Sequence, residues 1–413
     1  MRRKTISCAL LWLLATCGAA LAAPITDDGY CQYQGLPPSL RQTLVIIDGA
    51  VVSPETSAPA QANSVWREFA RRFVDALNPT ASQLIDARER VTLAVANADG
   101  SGLTILFTGC VPLFRKEEQA NLEGQTGVLA KFMGNDWRHS ADAAGEKFRR
   151  EATLAMIQGL KGVPVGKGDA APFAQSSLIN SIGKSLSYGL EDGVPRVVIF
   201  TDLNLYQFPS ADIPTVRRTA RVDAERDGLN LLRTEVHLFG VHGADDGSVS
   251  NYLQAFFLEG RGRLDTLTSV TGSLNPSSPP RSVSVFQGTI GFPDAEYPMR
   301  MRLAVDGNGT VVDSWVEIQS VESKFVPFSG ILTCSTTDAC QFTGDNVFAQ
   351  VWSDNPDPKP EFDAWIPFGG MRNFSFTLTK DSIAGVVKDE VGYVVGRDNG
   401  LEFHLKRIAN ARF

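Results

Sequence analysis

The chain is 413 residues long and poor in the residue types that most often advertise chemistry. It has only 4 His, and none belongs to a His-x-x-x-His pair or a Cys/His cluster, so the spacing gives no sign of zinc. His139 lies in a charged stretch, His237 inside an apolar run, His242 just beyond that run, and His404 on the polar face of an alternating one. There is no Gly-x-Ser-x-Gly elbow; the nearest string, Gly183-Lys-Ser-Leu-Ser187, has a helical pattern. There is no phosphate loop either, because Gly162-Val-Pro-Val-Gly-Lys-Gly168 has the wrong spacing and lacks a hydroxyl after the Lys. Beyond the first few residues no Lys/Arg cluster occurs, and the formal net charge is -7, which excludes the electrostatic footprint of a nucleic-acid binder. No apolar run reaches the ~20 residues of a membrane-spanning helix.

What is present begins at the N-terminus. Arg2, Arg3 and Lys4 precede an apolar stretch from Ile6 to about Ala15, and Ala20-Leu-Ala22 supplies a small-x-small cleavage pattern. Residues 1–22 therefore read as a signal peptide, with Ala23 as the first mature residue and a periplasmic or secreted protein as the product. A lipid anchor at Cys17 fits poorly, because Thr16 precedes it. After cleavage Cys31, Cys110, Cys334 and Cys340 remain, an even number in an oxidising compartment. Cys334 and Cys340 flank a polar turn and are expected to pair, which leaves Cys31 to Cys110.

The segment 273–282, Ser-Leu-Asn-Pro-Ser-Ser-Pro-Pro-Arg-Ser, has the composition of a linker. Before it, in residues 23–272, apolar runs alternate with helical patterns. Leu44–Ile47, Val197–Phe200 and Val236–Val241 read as buried parallel strands. Arg90–Val95 and Leu103–Phe107 flank Asp99-Gly100 as a hairpin. Trp66, Phe69, Phe73 and Leu77 mark a helix with Ser64 as its N-cap, and Leu178, Ile179, Ile182 and Leu186 mark another. Ile213–Leu232 and Val249–Val270 are expected to be helical, and about 115–160 reads as a charged helical insertion. This order predicts a layered α/β domain with a mostly parallel sheet, whose sites lie beyond the carboxyl ends of the strands, at Asp48, Asp202 and His242. In residues 283–413, Met299–Val305, Asp306-Gly-Asn-Gly309 and Thr310–Ile318 form a strong hairpin signal. Roughly eight strand-like runs predict an antiparallel barrel or sandwich, with either a filled interior or one that holds a small apolar ligand.

The stretches Leu44-Val-Ile-Ile-Asp-Gly49, Ser176-Ser-Leu-Ile-Asn-Ser-Ile182, Val197-Val-Ile-Phe-Thr-Asp202 and Thr234-Glu-Val-His-Leu-Phe-Gly-Val241, in that order, resemble the von Willebrand factor A family over slightly more than half the chain. The resemblance implies a Rossmann-like sheet with a divalent-cation adhesion site at its top, built from an Asp-x-Ser-x-Ser loop, a Thr and a later Asp. Asp48, Ser176 and Asp202 match three of those positions, but Ala50 and Val52 stand where the two loop serines belong. The implied metal site is degenerate, with weak Mg²⁺ binding or none and no other cofactor. Ala50 also removes the second carboxylate that an Asp-based phosphotransferase needs. The function expected is non-catalytic: an exported bacterial protein that binds a protein or an envelope component. The alternatives are a carrier of a small apolar ligand in the β domain, or an enzyme using Asp48, Asp202 and His242.

Overall fold

The computed structural model describes residues 25–27, 31, 36, 38–52, 68, 70–75, 85–125, 137–162, 171–185, 194–201, 203, 206–227, 229–231, 234–241, 243–244, 246–269, 280–292, 295–319, 323–335, 339–343, 349–351, 366–368, 374–387 and 400–408. The leader, the helix cap at Ser64, most of the 273–282 segment, Asp202 and His242 lie outside them.

The N-terminal part is a seven-stranded sheet. Its strands are β1 (Ile25–Asp27), β2 (Arg41–Asp48), β3 (Arg90–Ala96), β4 (Leu103–Cys110), β6 (Val194–Phe200), β8 (Glu235–Phe239) and β9 (Arg263–Thr268), in the order β1-β4-β3-β2-β6-β8-β9. All neighbouring pairs are parallel except the β3–β4 hairpin. A single helical turn, α1 (Gly49–Val52), follows β2 directly. The central strands are apolar throughout because both faces are covered. On one face Leu44, Ile46, Val197, Ile199 and Leu238 pack against helices α4 (Ser177–Ser185), α5 (Ile213–Asp227) and α6 (Gly247–Glu259). On the other, Val45, Ile47, Leu93 and Val198 meet Phe73 and Phe148.

Phe148 belongs to α3 (Trp137–Gly162), which follows α2 (Lys116–Gln125) within the segment read as an insertion. Its Phe148, Ala152, Ala155 and Met156 are buried on the sheet, with Phe148 edge-on to Phe107 at 5.1 Å. This helix is thus a wall of the domain, and only its outer side is surface.

Near the amino ends of the strands, the face that carries Val45 and Val198 turns polar. Thr43, Arg196, Glu235 and Arg263 are in register across β2, β6, β8 and β9. Arg196 donates to Thr43 Oγ1 at 2.9 Å and to Glu89 at 2.9 Å, and Arg263 pairs with Glu235 at 3.1 Å. Buried charges survive only in such paired and hydrogen-bonded form.

The sequence expectation of a helix from Val249 to Val270 is corrected. The helix stops at Glu259, and Arg263–Thr268 is the edge strand β9. Gly260 and Gly262 break the helix, and Arg261 between them has φ 59°. A Cβ on Gly262 would sit 2.6 Å from the end of the Leu231 side chain and 3.1 Å from Phe257 O, so a larger residue there would have to push Leu231 aside. The Ile213–Leu232 helix likewise ends at Asp227.

Between barrel and sandwich, the C-terminal part is a closed antiparallel barrel. Its strands are β10 (Ser282–Gly291), β11 (Glu296–Val305), β12 (Thr310–Gln319), β13 (Ser323–Cys334), β14 (Ala339–Thr343), β17 (Phe374–Thr379), β18 (Ser382–Val387) and β19 (Leu401–Ile408), closed by β10 against β19. The short strands β15 (Ala349–Val351) and β16 (Ile366–Phe368) pair beside it. Its core is aromatic: Phe342 stacks on Phe376 at 4.6 Å, Phe374 on Phe403 at 5.3 Å, and Phe328 meets Phe342 edge-on at 5.5 Å. Along β19, buried Leu401, Phe403 and Leu405 alternate with exposed Glu402, His404 and Lys406. A polar outer face is the reverse of a bilayer-spanning barrel. Among the described residues no helix is long and apolar enough to cross a membrane.

Both expected disulfides are present. Cys31–Cys110 ties the N-terminal segment to the end of β4, and Cys334–Cys340 joins residues paired across β13 and β14. Among the described residues, Arg261 pairs with Glu317 of the barrel at 2.9 Å, and Arg281, just before β10, pairs with Asp86 at 3.7 Å.

Candidate functional site

The chain leaves β2 towards β3 on one side and returns through β6 on the other, so the strand order reverses between β2 and β6. Loops diverge at such a switch point and leave a crevice at the carboxyl ends of the strands. Asp48 ends β2 there, and Thr201 follows β6.

Asp48 is fully buried. Its Oδ1 accepts the backbone N–H of Ala50 at 3.0 Å. Its Oδ2 accepts two hydroxyls, Thr201 Oγ1 at 2.7 Å and Tyr206 Oη at 2.8 Å. Burial raises the Tyr206 phenol well above its ordinary range, and the charge of Asp48 and the bond to it add to the effect, while a bond with Ser177 opposes it. Tyr206 is therefore a neutral donor at any physiological pH.

The loop after β6 aims Tyr206. Leu203 has φ 59°, in the left-handed region that a branched side chain avoids, and its N–H reaches Thr201 Oγ1 at 3.3 Å. Tyr206 N–H closes the turn on Leu203 O at 3.0 Å. Tyr206 and Gln207 form a two-residue strand, β7, in register with Ala171 and Pro172 of β5, just before α4. Phe173 then packs edge-on to the Tyr206 ring at 5.9 Å. Ser176 is buried and its Oγ accepts the N–H of Ile179 at 3.2 Å, which makes it a cap of α4.

Of the sequence-predicted site residues, the structure thus puts Asp48 at the top of the sheet and Ser176 at the head of α4. Asp202 and His242 are outside the described residues. Tyr206 was missed, since no motif spacing marks it; the only hint was its place four residues beyond Asp202, in a loop.

Among the described residues, those around Asp48 do not fit a resident divalent cation. Both oxygens of Asp48 already accept protein donors, and the Tyr206 hydroxyl occupies the side of Oδ2 that faces the loop after β6. Ala50, itself buried, presents a methyl where a ligand oxygen would stand. An ion on that side of Oδ2 would have to displace the phenol. The described donors to Asp48, the Ala50 N–H and the Thr201 and Tyr206 hydroxyls, are neutral and hold it in place.

No protein-family model matches the chain, and no curated protein matches it.

Proposed function

We propose that this is an exported binding protein with a von Willebrand factor A-like domain, whose upper loops engage a protein or envelope component without a bridging metal. The observation that carries this reading is the bond from Tyr206 to Asp48 at the switch point. It makes the Asp48 carboxylate an internal brace rather than a reactive or metal-binding group. The strand order β4-β3-β2-β6-β8-β9, with β4 antiparallel, supports the family resemblance, which itself speaks to fold more than to partner. The leader, with its pattern of charge, apolar run and small residues, supports export into a compartment where two disulfides persist.

The stacked phenylalanines of the barrel core count against the carrier alternative, because each ring fills space that a guest molecule would need. The test is photo-crosslinking in the native envelope, with the photoreactive residue placed at the exposed Ala211, beside the head of α5. Capture of one defined partner, insensitive to EDTA, is the expected result. Capture that EDTA abolishes would refute a metal-free contact.

A further inference from the structure

The only cluster among the described residues in which a His and two carboxylates converge closely enough to share an ion lies far from Asp48, on the edge of the sheet. Glu235 and His237 are alternate residues of β8 and point to the same face. Opposite them β9 carries a bulge. Val236 pairs with Leu264, but His237 pairs with Thr266, so Asp265 is the extra residue. The bulge resets the alternation. Leu264 and Leu267 both pack into the apolar core on the other face, and Thr266 faces the imidazole with Asp265 beside it. Bulges commonly re-aim a side chain in this way.

The imidazole is fully buried and held at both nitrogens. Nε2 lies 2.7 Å from Glu235 Oε1, and Nδ1 lies 2.9 Å from Thr266 Oγ1 and 3.9 Å from Asp265 Oδ2. Glu235 is also bound by Arg263, so it stays an ionised acceptor and receives a hydrogen bond from Nε2–H. That leaves the Nδ1 lone pair directed at the bulge. A carboxylate that orients a His from behind, through the nitrogen opposite the ligating one, is the usual backing of a His–metal bond.

We propose that His237 Nδ1 and Asp265, with the Thr266 hydroxyl and water completing the shell, form a site for a borderline transition-metal ion, Zn²⁺ by chemistry. Zinc bonds to imidazole nitrogen and carboxylate oxygen are each about 2.1 Å, so in a tetrahedral shell the two atoms lie about 3.4 Å apart. They lie 3.9 Å apart without an ion, within reach of a small turn of the Asp265 side chain. An imidazole beside one carboxylate selects Zn²⁺ over Mg²⁺ and Ca²⁺, which prefer shells made wholly of oxygen. The Asp265 side chain is 27% exposed, which gives the ion a way in from solvent. Binding replaces the contact between Nδ1 and the Thr266 hydroxyl with bonds from both to the ion.

The test is calorimetric titration of the mature, tag-free protein with Zn²⁺, and spectroscopy of the Co²⁺-loaded form. One ion per chain is expected, with Co²⁺ absorption typical of few ligands and a melting temperature that rises with Zn²⁺. Asp265→Asn is partly exposed and keeps the fold, so its melting temperature in EDTA should match that of the parent while Zn²⁺ affinity drops at least tenfold. Asp48→Asn should leave Zn²⁺ affinity unchanged. No saturable binding to the folded protein would overturn the proposal, and so would equal affinity in the Asp265→Asn variant.

Discussion

At the scale of single residues, the molecule is governed by how its buried charges find partners. Asp48 accepts donors that include the Tyr206 hydroxyl, and Tyr206→Phe removes that one without changing shape. A hydrogen bond to a charged group contributes about 2 kcal/mol, so urea unfolding should show a loss of that size. Mg²⁺ should not restore it, since Ala50 still offers no ligand. Only when Tyr206→Phe is combined with Ala50→Ser and Val52→Ser should Mg²⁺ raise the melting temperature; a rise with the parent protein would show that the phenol does not hold the cation's place. Glu235 shows the same dependence at the other end of the sheet. Burial raises its pKa, but the bond from His237 and the positive charges around it, Arg263 and Arg196 among them, outweigh burial and hold it at about 2, against an ordinary 4.5. A depressed carboxylate stabilises the fold above its unfolded pKa and loses that contribution as pH falls through the folded value. The shift corresponds to about 3 kcal/mol, present above about pH 5 and lost progressively towards pH 2. Glu235→Gln should therefore be less stable at pH 6 and show a flatter decline between pH 5 and 3. A parallel decline in both proteins would mean that Glu235 does not carry the acid sensitivity.

At the scale of elements, the two disulfides do different work. Cys31 and Cys110 are 79 residues apart, and closing so long a loop in the unfolded chain is worth about 4 kcal/mol. Cys334 and Cys340 are 6 apart, and their bridge is worth about 2 kcal/mol, spent on one rung between β13 and β14. Replacing the first pair with serine should lower the melting temperature clearly more than replacing the second. An equal effect would mean that native packing, not loop closure, sets their contributions. Reading these bridges needed only spacing and compartment. Reading β9 needed more, because Arg263–Thr268 follows a helix without an apolar alternation to announce it: its pattern is Arg-Leu-Asp-Thr-Leu-Thr, with the bulge at Asp265 spoiling the period of two. The two glycines before it were the available signal for a break. α3 shows the converse. Its charged surface has the pattern of an insertion, whereas Phe148, Ala152 and Met156 on one side make it part of the core.

At the scale of the whole molecule, the α/β part and the barrel each have their own core, joined by the Pro/Ser-rich residues 273–282 and by the ion pairs of Arg261 and Arg281. Limited proteolysis should cut within that segment first and leave two folded fragments. Loss of the 283–413 region before any cut in the segment would show that the barrel does not stand alone. High salt should ease separation of the nicked fragments only slightly, since partly buried ion pairs are screened less than exposed ones.

The sequence by itself determined the alternation of strand and helix, the hairpins at Asp99-Gly100 and Asp306–Gly309, both disulfides and the placement of Asp48 at a strand end. Each of these is local: a period of two or of 3.6, a turn dipeptide, a pair of cysteines, a run that stops at an acid. Only the tertiary structure decided that the β part closes into a barrel, that Tyr206 completes Asp48, and that Asp265 and Thr266 turn towards His237. Those outcomes depend on register between strands distant in the chain, and a shift of one residue moves a side chain to the opposite face, which no local pattern records.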